Sequence, residues 1–521
     1  MERMRRFSAC RVVRETVVRL ASQHDGTVKR YAPQALTQAL EGQPLDVAAG
    51  ATADLDGNGR DSMYRAVRDL AREKVTPLTL GQMYAFGKDP GPEQRLGNAR
   101  FLQRELPVRL SQRAVELMNL PHGLSSMPGI QQVYNCYARY AWEIFCRPAP
   151  SSPAEEHDFS CFLSSILLDG QSIPRALSIG LQDFHNRLAE ENGDREGMGA
   201  RRGSQCLRAM DSAVRLDVQD ALSRFFMGRI GVRFLIEHHV ASATQRPSRP
   251  GWSGVIQSTV SPCVEARHAA ADVRSLCMTH LGAVPEIRIL GEDEHTFTYV
   301  PSHLEIMLSE QLKNACRAVV EQHHPAYTSM TALAGPIHCW GERECKSVKE
   351  QALAAQGWPD GGPQIPPVKV TVTMGKNDVV LKIADEGGGA SRSDIELLWT
   401  YFYTTANKHL TGRNTLPLAL TGGYEPHDSS EAASGEKVRR EEPEHGHEPV
   451  TPLAGLGVGL PLSRVYARYF GGEIILKSME GFGMDSYLYL NRLAHDCEEI
   501  HPLVGHGGTE GGRAQYRPRE I

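Results

Sequence analysis

The chain has 521 residues, more than a single core of ordinary size, so two domains with additional tails are expected. Its 57 basic and 62 acidic residues give a formal net charge of −5, which excludes the global polycation that would favour a nucleic-acid partner. The 11 cysteines form no CxxC pair, which indicates neither a disulfide framework nor a zinc knuckle and favours a reducing compartment.

The first 20 residues are rich in arginine, as is typical of a mitochondrial targeting segment. Only Glu2 and Glu15 oppose these arginines, and valine and leucine are interleaved with them. We expect residues 1–30 to direct import, the alternative being an ordinary basic amphipathic helix. Along the rest of the chain no run of 18 apolar residues occurs, so no transmembrane segment is expected.

Residues 78–255 have helical periodicity, with apolar side chains recurring every three or four positions. The stretch 100–120 shows this pattern, although Pro107 should kink or restart the helix. Further periodic stretches follow at 130–145, 162–168 and 221–240. Several antiparallel helices are therefore expected, packed as a four-helix-bundle-like domain.

Residues 256–495 mix short alternating runs with helical stretches, which indicates an α/β sandwich with helices on one sheet face. The predicted fold class is thus a two-domain α+β protein. Two segments, 326–367 and 408–452, are rich in glycine, proline and charge, so both are expected to be mobile insertions. Residues 496–521 are expected to form a flexible tail.

The first chemical motif is EQLKNA at 310–315, within a predicted helix. Glu310, Asn314, Arg317 and Glu321 are spaced by four, three and four residues, so they share one helix face. A carboxylate one turn before a carboxamide suits a phosphate site, because the amide oxygen can bind Mg²⁺ while the carboxylate accepts a proton. The alternative is an ordinary solvated face, which this segment alone favours.

The second motif is DEGGG at 385–389, directly after a predicted strand. Successive glycines allow a tight turn and leave room for a flat ring, while Asp385 can accept a hydrogen bond from an exocyclic amine such as that of adenine. A glycine-rich β-turn without a ligand explains the motif equally well. The hydroxyl-bearing stretch YTTA follows at 403–406, where the second insertion begins.

The last motif is GLGVGLP at 455–461, which begins a predicted helix. Alternate glycines allow a nest of backbone N–H groups, Pro461 suits the first helical turn, and the helix N-terminus adds positive potential. The pattern therefore predicts a phosphate cradle. It is neither a Walker loop nor a Rossmann fingerprint, because no GK[ST] follows and the spacing is GxGxG.

The order of these motifs resembles the GHKL superfamily of ATPases, and most closely its branch of mitochondrial 2-oxoacid dehydrogenase kinases. The stretches that carry the resemblance are residues 381–406 and 453–490, RFLQRELPVRL at 100–110, RFFMGRIGVRFLIEHH at 224–239 and VPSHL at 300–304. The resemblance implies an ATP-dependent serine kinase that phosphorylates and inactivates the decarboxylase component of a 2-oxoacid dehydrogenase complex. It also implies the mitochondrial matrix, and a helical domain that docks on the complex's lipoyl-bearing core.

The resemblance assigns roles to individual residues. Glu310 is implied as the general base and Asn314 as the Mg²⁺ ligand, whereas His239 is either a histidine near the phosphoacceptor or a structural one. ATP and Mg²⁺ are the implied cofactors, K⁺ is a further candidate, and a homodimer is a candidate assembly. The nucleotide contacts implied beside Asn314 are Arg317, Asp385, Gly387, Gly389, Thr404, Thr405, Gly455, Leu456, Gly457, Val458, Gly459 and Leu460.

Two departures from the family pattern keep a second function open. Met484 stands where the family usually has threonine, and Glu386 stands where it usually has arginine. They motivate a non-catalytic nucleotide-binding module with a regulatory or scaffold role as the alternative. Between substrates, the pyruvate and branched-chain complexes are nearly even, with a slight preference for branched-chain from features such as Ile306 and the His238-His239 pair.

Overall fold

The computed structural model describes residues 57–88, 91–170, 173–191, 211–244, 250–334, 342–355, 365–404, 457–493 and 498. The targeting segment predicted at 1–30, the insertion predicted at 408–452 and residues 499–521 of the predicted tail lie outside these ranges. Within the described part of the chain, no helix has both the length and the apolar character needed to cross a membrane.

The first region of the structure is mostly helical, as predicted. α3 packs against α1, α4, α5 and α7, α4 packs against α6, and α7 packs against α5. The helices are α1 (Gly57–Leu70), α2 (Leu80–Gly87), α3 (Pro92–Met118), α4 (Pro128–Phe145), α5 (Pro153–Asp169), α6 (Ile173–Glu191) and α7 (Ser212–Thr244), with a 3₁₀ turn at Leu124–Ser126.

α3 is the central helix of this region, and its sequence explains both its start and its buried face. Pro92 occupies the first turn, where a backbone N–H is not needed. Leu106, Leu110 and Leu117 recur at helical spacing and are buried. The helix does not restart at Pro107: this buried residue lies inside α3, which continues to Met118.

The second region combines helices with two sheets, which agrees with the predicted α+β class. A small antiparallel sheet has the order β1-β2-β4, and the main sheet has the order β3-β5-β6-β8-β7, in which β3 and β5 are parallel and the other pairs antiparallel. The elements are β1 (Trp252–Ser253), β2 (Ile256–Val260), α8 (Pro262–Leu281), β3 (Ile287–Leu290), β4 (Phe297–Tyr299), α9 (Pro301–His323), α10 (Pro325–Ala334), α11 (Glu342–Ala355), β5 (Val368–Met374), β6 (Asp378–Asp385), α12 (Arg392–Leu398), α13 (Gly459–Tyr469), β7 (Glu473–Met479) and β8 (Gly483–Asn491).

The register of the main sheet sets the position of the predicted motifs. Val379, Leu381 and Ile383 of β6 are buried and alternate with more exposed residues, as expected for a strand with one covered face. α9 packs against β5 and β6, while α13 packs against β7 and β8. The last pair between β6 and β8 is Asp385 with Met484, so the end of β6 lies beside the β7–β8 turn.

Within the first predicted insertion, 326–367, the described residues 326–334 and 342–355 are helical, so the expectation of a mobile loop is wrong for α10 and α11. Tyr327, Val348 and Ala352 are buried, and Tyr327 Oη donates to the carbonyl of Leu281 at 3.0 Å. α10 and α11 pack against each other and against α9 and α8. Few apolar positions suffice here because the helices pack on the outside of a larger core.

The helical region and the sheet region share one continuous core of buried residues. Two aromatic residues of α7 join them: the ring of Phe226 lies 5.1 Å from that of Tyr401, and the ring of Phe234 lies 5.6 Å from that of Phe470. At the predicted boundary between residues 255 and 256 the chain therefore changes from helices to a mixture of strands and helices, while the hydrophobic core continues across it.

Glu498 lies inside the segment predicted as a flexible tail, and for this residue the prediction is wrong. Glu498 is buried, and its backbone N–H donates to the carbonyl of Leu78 at 2.9 Å. Its carboxylate accepts from the N–H of Leu78 at 3.2 Å. A buried carboxylate held by hydrogen bonds leaves no hydropathy signal, so composition alone indicated a tail.

Candidate active site

Glu310 lies on the buried side of α9. Its side chain is 5% exposed, and its Oε1 is 2.5 Å from Nζ of Lys313, which is 4% exposed. A buried charge needs a partner of opposite charge, and Lys313 supplies it one turn along the same helix. The alternative of a solvated polar face is therefore wrong for Glu310.

Gly459 begins α13 directly against this carboxylate. A Cβ at Gly459 would lie 2.0 Å from Oε2 of Glu310, so the approach requires a residue without a side chain. The two oxygens of Glu310 thus have different surroundings, with Oε1 on Lys313 and Oε2 at the positive end of the α13 dipole.

The backbone before α13 is joined to the segment that follows α12. Gly457 has a φ of +77°, and a Cβ there would lie 2.4 Å from the carbonyl oxygen of Tyr403. The carbonyl of Gly457 accepts from the N–H of Phe402 at 2.8 Å. Besides Gly457 and Gly459, the structure describes buried Val458 and partly buried Leu460 of the predicted cradle, and Thr404 of the YTTA stretch, whereas Thr405, Gly455 and Leu456 lie outside the described residues.

Asn314 follows Glu310 by one turn of α9 and is exposed. Its carboxamide is therefore accessible to a ligand, while the carboxylate one turn earlier is buried. Arg317 is engaged along the helix, with its Nε 3.8 Å from Oε1 of Glu321. Of the predicted polar face, Asn314 is the member best placed to offer an oxygen to a metal ion.

Asp385 ends β6, and backbone N–H groups hold its carboxyl group. Its Oδ1 accepts from Gly387 at 2.9 Å and from Met484 at 3.3 Å. Burial raises the pKa of Asp385 to about 6, against the opposing effect of these two hydrogen bonds. Because both bonds use Oδ1, Oδ2 can accept from a ligand amine.

Two glycines of the DEGGG turn allow close packing on both sides. A Cβ at Gly387 would lie 2.5 Å from Cβ of Ala318 on α9. Gly389 has a φ of +64°, and a Cβ there would lie 2.5 Å from the carbonyl oxygen of Met479. The turn is therefore held between α9 and the β7–β8 turn, so Asp385 lies beside the helix that carries Glu310.

His239 contacts two residues of the helical region. Its Nε2 is 3.0 Å from Oγ of Ser160 and 3.7 Å from Oε1 of Glu156, both on α5. Burial, followed by the nearby charge of Arg95, lowers the pKa of His239 to about 4. These contacts suit the structural alternative, and a role at the phosphoacceptor stays a prediction.

Two residues that sequence analysis did not select belong to this site. Lys313 pairs with Glu310, and its position three residues later on the same helix was a usable signal. Gln219 of α7 binds the segment before the second insertion, since its Nε2 donates to the carbonyl of Trp399 and its Oε1 accepts from the N–H of Tyr401 at 2.9 Å. No local pattern connects residues 180 positions apart.

Comparisons with known proteins agree with this geometry. A family model described as mitochondrial branched-chain alpha-ketoacid dehydrogenase kinase matches residues 77–257. The mitochondrial pyruvate dehydrogenase (acetyl-transferring) kinase of Arabidopsis thaliana is 31% identical over 440 residues, which cover 84% of this chain and 96% of that protein. The chain belongs to the mitochondrial 2-oxoacid dehydrogenase kinase family.

Other relatives of this kinase span similar lengths. The mitochondrial pyruvate dehydrogenase (acetyl-transferring) kinase of Schizosaccharomyces pombe is 31% identical over 485 residues, with 85% of this kinase and 98% of that protein covered. The corresponding protein of Drosophila melanogaster is 27% identical over 447 residues, which cover 84% of this kinase and 87% of that protein. The enzyme class is therefore that of a protein kinase.

The described residues of this kinase fit a magnesium nucleotide. Asp385 offers a carboxyl oxygen to a nucleotide base, Asn314 offers an exposed amide, and Gly457 and Gly459 allow the backbone before α13 to approach Tyr403 and Glu310, where any Cβ would clash. When bound, ATP supplies the phosphoryl group and Mg²⁺ neutralises the phosphate charge. The residues of the chain would hold these groups in position.

Proposed function

We propose that this chain is an ATP-dependent serine kinase that phosphorylates and inactivates the decarboxylase component of a mitochondrial 2-oxoacid dehydrogenase complex. It works in the matrix, where its helical region docks on the lipoyl-bearing core, and its sheet region is an ATP-binding domain of the GHKL type. The observation that carries the proposal is the contact between Glu310 and Gly459, which joins a buried carboxylate to the helix that begins at the glycine cradle.

Glu310 acts as the general base in this proposal. The ammonium group of Lys313 holds Oε1, so Oε2 is the oxygen that takes the proton from the substrate serine. A base must lie within hydrogen-bond reach of the proton that it removes, and Oε2 lies beside the start of α13, where the phosphates belong. Positioning and charge neutralisation are most of what phosphoryl transfer asks of a protein.

The nucleotide contacts follow the same geometry. Asn314 supplies the amide oxygen for Mg²⁺, Asp385 accepts from the adenine amine, and the N–H groups at the start of α13 face the phosphates. The backbone N–H of Met484 donates to Asp385, so this site keeps one support of the base-reading carboxyl despite lacking the family's threonine. K⁺ binding and homodimer formation remain candidates.

The identity of the complex is proposed from the relatives. The proteins that match most of the chain are named for pyruvate dehydrogenase, whereas the family model over residues 77–257 is described as branched-chain. We therefore favour the decarboxylase component of the pyruvate complex as the substrate and treat its branched-chain counterpart as the second candidate.

The test is a transfer assay with labelled ATP and each purified decarboxylase component, run with the full chain and with Glu310→Gln. Label on a serine of one component, lost in Glu310→Gln, supports the proposal and identifies the complex. Bound ATP with label on neither component would instead support the non-catalytic nucleotide-binding module. Absence of ATP binding would contradict both functions.

A further inference from the structure

A buried cluster of polar residues lies at the end of α13 that is farthest from Gly459. Glu498 accepts from Arg109 Nη1 at 2.8 Å, from Arg109 Nη2 at 2.6 Å and from Tyr469 Oη at 2.5 Å. Arg109 also donates through Nε to Glu105 at 2.9 Å, and Glu498 is bonded to Leu78 as described above. We call these five residues the Glu498 cluster.

The Glu498 cluster connects parts of the chain that are remote in sequence. Arg109 and Glu105 belong to α3, Leu78 precedes α2, Tyr469 ends α13, and Glu498 comes after β8. The side chains of Arg109 and Glu498 are 8% and 1% exposed, so this ion pair is shielded from water and salt. Separating Arg109 from Glu498 would leave a buried charge without its partner, which costs free energy. The ion pair therefore holds α3 and the segment around residue 498 together.

Tyr469 connects α13 to Glu498 through its side chain. Burial, followed by the charge of Glu498, raises the pKa of Tyr469, so the hydroxyl stays protonated and donates a hydrogen bond to the carboxylate. α7 leaves room for this bond, since a Cβ at Gly231 would lie 3.0 Å from Tyr469 Oη and 3.4 Å from Oε2 of Glu498.

α13 links this cluster to the candidate active site. The helix has 11 residues and is therefore about 16 Å long, with Gly459 at one end and Tyr469 at the other. An α-helix of three turns moves nearly as a rigid body, because each turn is fixed by its backbone hydrogen bonds. A displacement at Tyr469 therefore changes the distance between Gly459 and the carboxylate of Glu310.

We propose that Glu498 is a positioning residue for the nucleotide site: through Tyr469 it fixes α13 so that Gly459 stays against Glu310. The inference rests on the proposed function, because it treats the start of α13 as the phosphate cradle. Glu498 thus affects a bound nucleotide that it does not touch. It can do so because its bonds to Arg109 and Leu78 attach it to the helical region.

The test compares Tyr469→Phe and Glu498→Gln with a matched control in the full chain. Tyr469→Phe removes only the hydroxyl and keeps the ring that packs on Phe234 and Phe470. The control is Tyr64→Phe, which removes the same group from a hydrogen bond to Asn135 within the helical region. Measurements are the Kd for Mg-ATP, the KM for ATP, the KM for the protein substrate and the melting temperature.

We expect both variants to raise the Kd and the KM for ATP by about fivefold or more, the lower end of coupling between separate sites. The KM for the protein substrate should stay unchanged, and Tyr64→Phe should leave all constants near those of the unchanged chain. Because both changes break one connection, the double variant should lose much less than the sum of the two single effects.

Two results would overturn the inference. The first is a lower melting temperature with an unchanged Kd for Mg-ATP, measured well below the melting transition, which would make the Glu498 cluster a structural tie alone. The second is full additivity in the double variant. Failure of the unchanged chain to bind Mg-ATP would overturn the nucleotide site itself, whereas normal binding unaffected by Tyr469→Phe would overturn only the role of Glu498.

Discussion

Glu310 divides its carboxylate between Lys313 on one oxygen and the start of α13 on the other. We predict that Glu310→Gln lowers phosphotransfer by about 10²-fold or more, the scale expected when a general base is removed. Glutamine has nearly the same shape, so nucleotide affinity should stay close to that of the unchanged chain. Single-turnover transfer and a nucleotide titration on the same preparation measure the two effects separately.

Asn314→Ala is the matched contrast to that change. It removes an exposed amide one turn away and leaves the buried ion pair of Glu310 and Lys313 in place. Mg-ATP binding should weaken, because the metal loses an oxygen ligand, and the defect should shrink at high magnesium concentration. Near-normal turnover in Glu310→Gln would contradict the assignment of the base.

Asp385 predicts a pH dependence of nucleotide binding. Burial raises its pKa to about 6, so the carboxylate is ionised at pH 7 and becomes protonated as the pH falls through 6. The ionised group is the stronger acceptor for an amine, so we expect affinity for Mg-ATP to fall over this range. Titrations at several pH values check this, and Asp385→Asn should lower the affinity and flatten the profile. A wild-type profile that is already flat would contradict the prediction.

The same shift has a defined sign for stability. The pKa of Asp385 lies above its ordinary value of 3.8, so between these values the folded chain binds more protons than the unfolded chain. The burial of this group therefore reduces the free energy of unfolding at neutral pH, and the reduction disappears as the pH falls through about 6 and below 3.8.

At this scale the sequence predicted residues whose partners are near in the chain. Helical spacing placed Glu310 and Asn314 on one helix face, and the strand and glycines singled out Asp385, while the family resemblance supplied the roles that stay predictions. Glu498 and Gln219 were missed because most of their partners lie 180 or more positions away, and a single polar residue carries no periodicity. His239 was selected from the family pattern alone, and its contacts with Ser160 show why resemblance does not fix a side chain's surroundings.

α9 and α13 meet at Gly459, and this contact between elements can be tested with one methyl group. A Cβ at Gly459 would lie 2.0 Å from Oε2 of Glu310, so Gly459→Ala must displace either the helix or the carboxylate. We predict a loss of phosphotransfer of about 10²-fold, the cost of a misplacement near 1 Å at a reacting group. Single-turnover transfer measures it.

Gly97→Ala is the control for that substitution. Gly97 is exposed within α3, and a Cβ there would meet no atom within 4 Å. Alanine should stabilise this helix by about 0.5–1 kcal/mol through its higher propensity and leave catalysis unchanged. Equal activity of the two variants would mean that the Glu310 contact is not needed for transfer.

The elements themselves were predicted unevenly. The helical stretches predicted at 100–120, 130–145, 162–168 and 221–240 have strong periodicity, and they correspond to α3, α4, α5 and α7 of the structure. α10 and α11 were missed because glycine, proline and charge around them outweighed the short apolar pattern of Val348 and Ala352. Helices that pack on the outside of a core need few apolar residues, so composition underestimates their order.

The molecule as a whole has one continuous core across its helical and sheet regions. We therefore predict a single cooperative unfolding transition in calorimetry, because Phe226 and Phe234 of α7 pack against aromatic residues of the second region. Mg-ATP should raise the midpoint of the whole transition, since it binds only the folded chain.

The control for this prediction is a fragment that begins at residue 250. This fragment lacks α7, whose Phe226 and Phe234 pack on the second region, and α3, whose Arg109 pairs with Glu498. It should therefore unfold without cooperativity or fail to fold. Two separate transitions in the full chain, with only the later or earlier one shifted by nucleotide, would show that the regions are thermodynamically independent.

The bond between Glu498 and Leu78 has a consequence for how the protein is made. The two residues are 420 positions apart, so at bacterial or eukaryotic elongation speeds a ribosome delivers the second about 20 to 80 s after the first. Until Glu498 has been made, the guanidinium group of Arg109 lacks the carboxylate that pairs with it in the folded protein. The joint between the regions therefore forms only after residue 498 has been made, and a chain that stops before residue 498 lacks this joint.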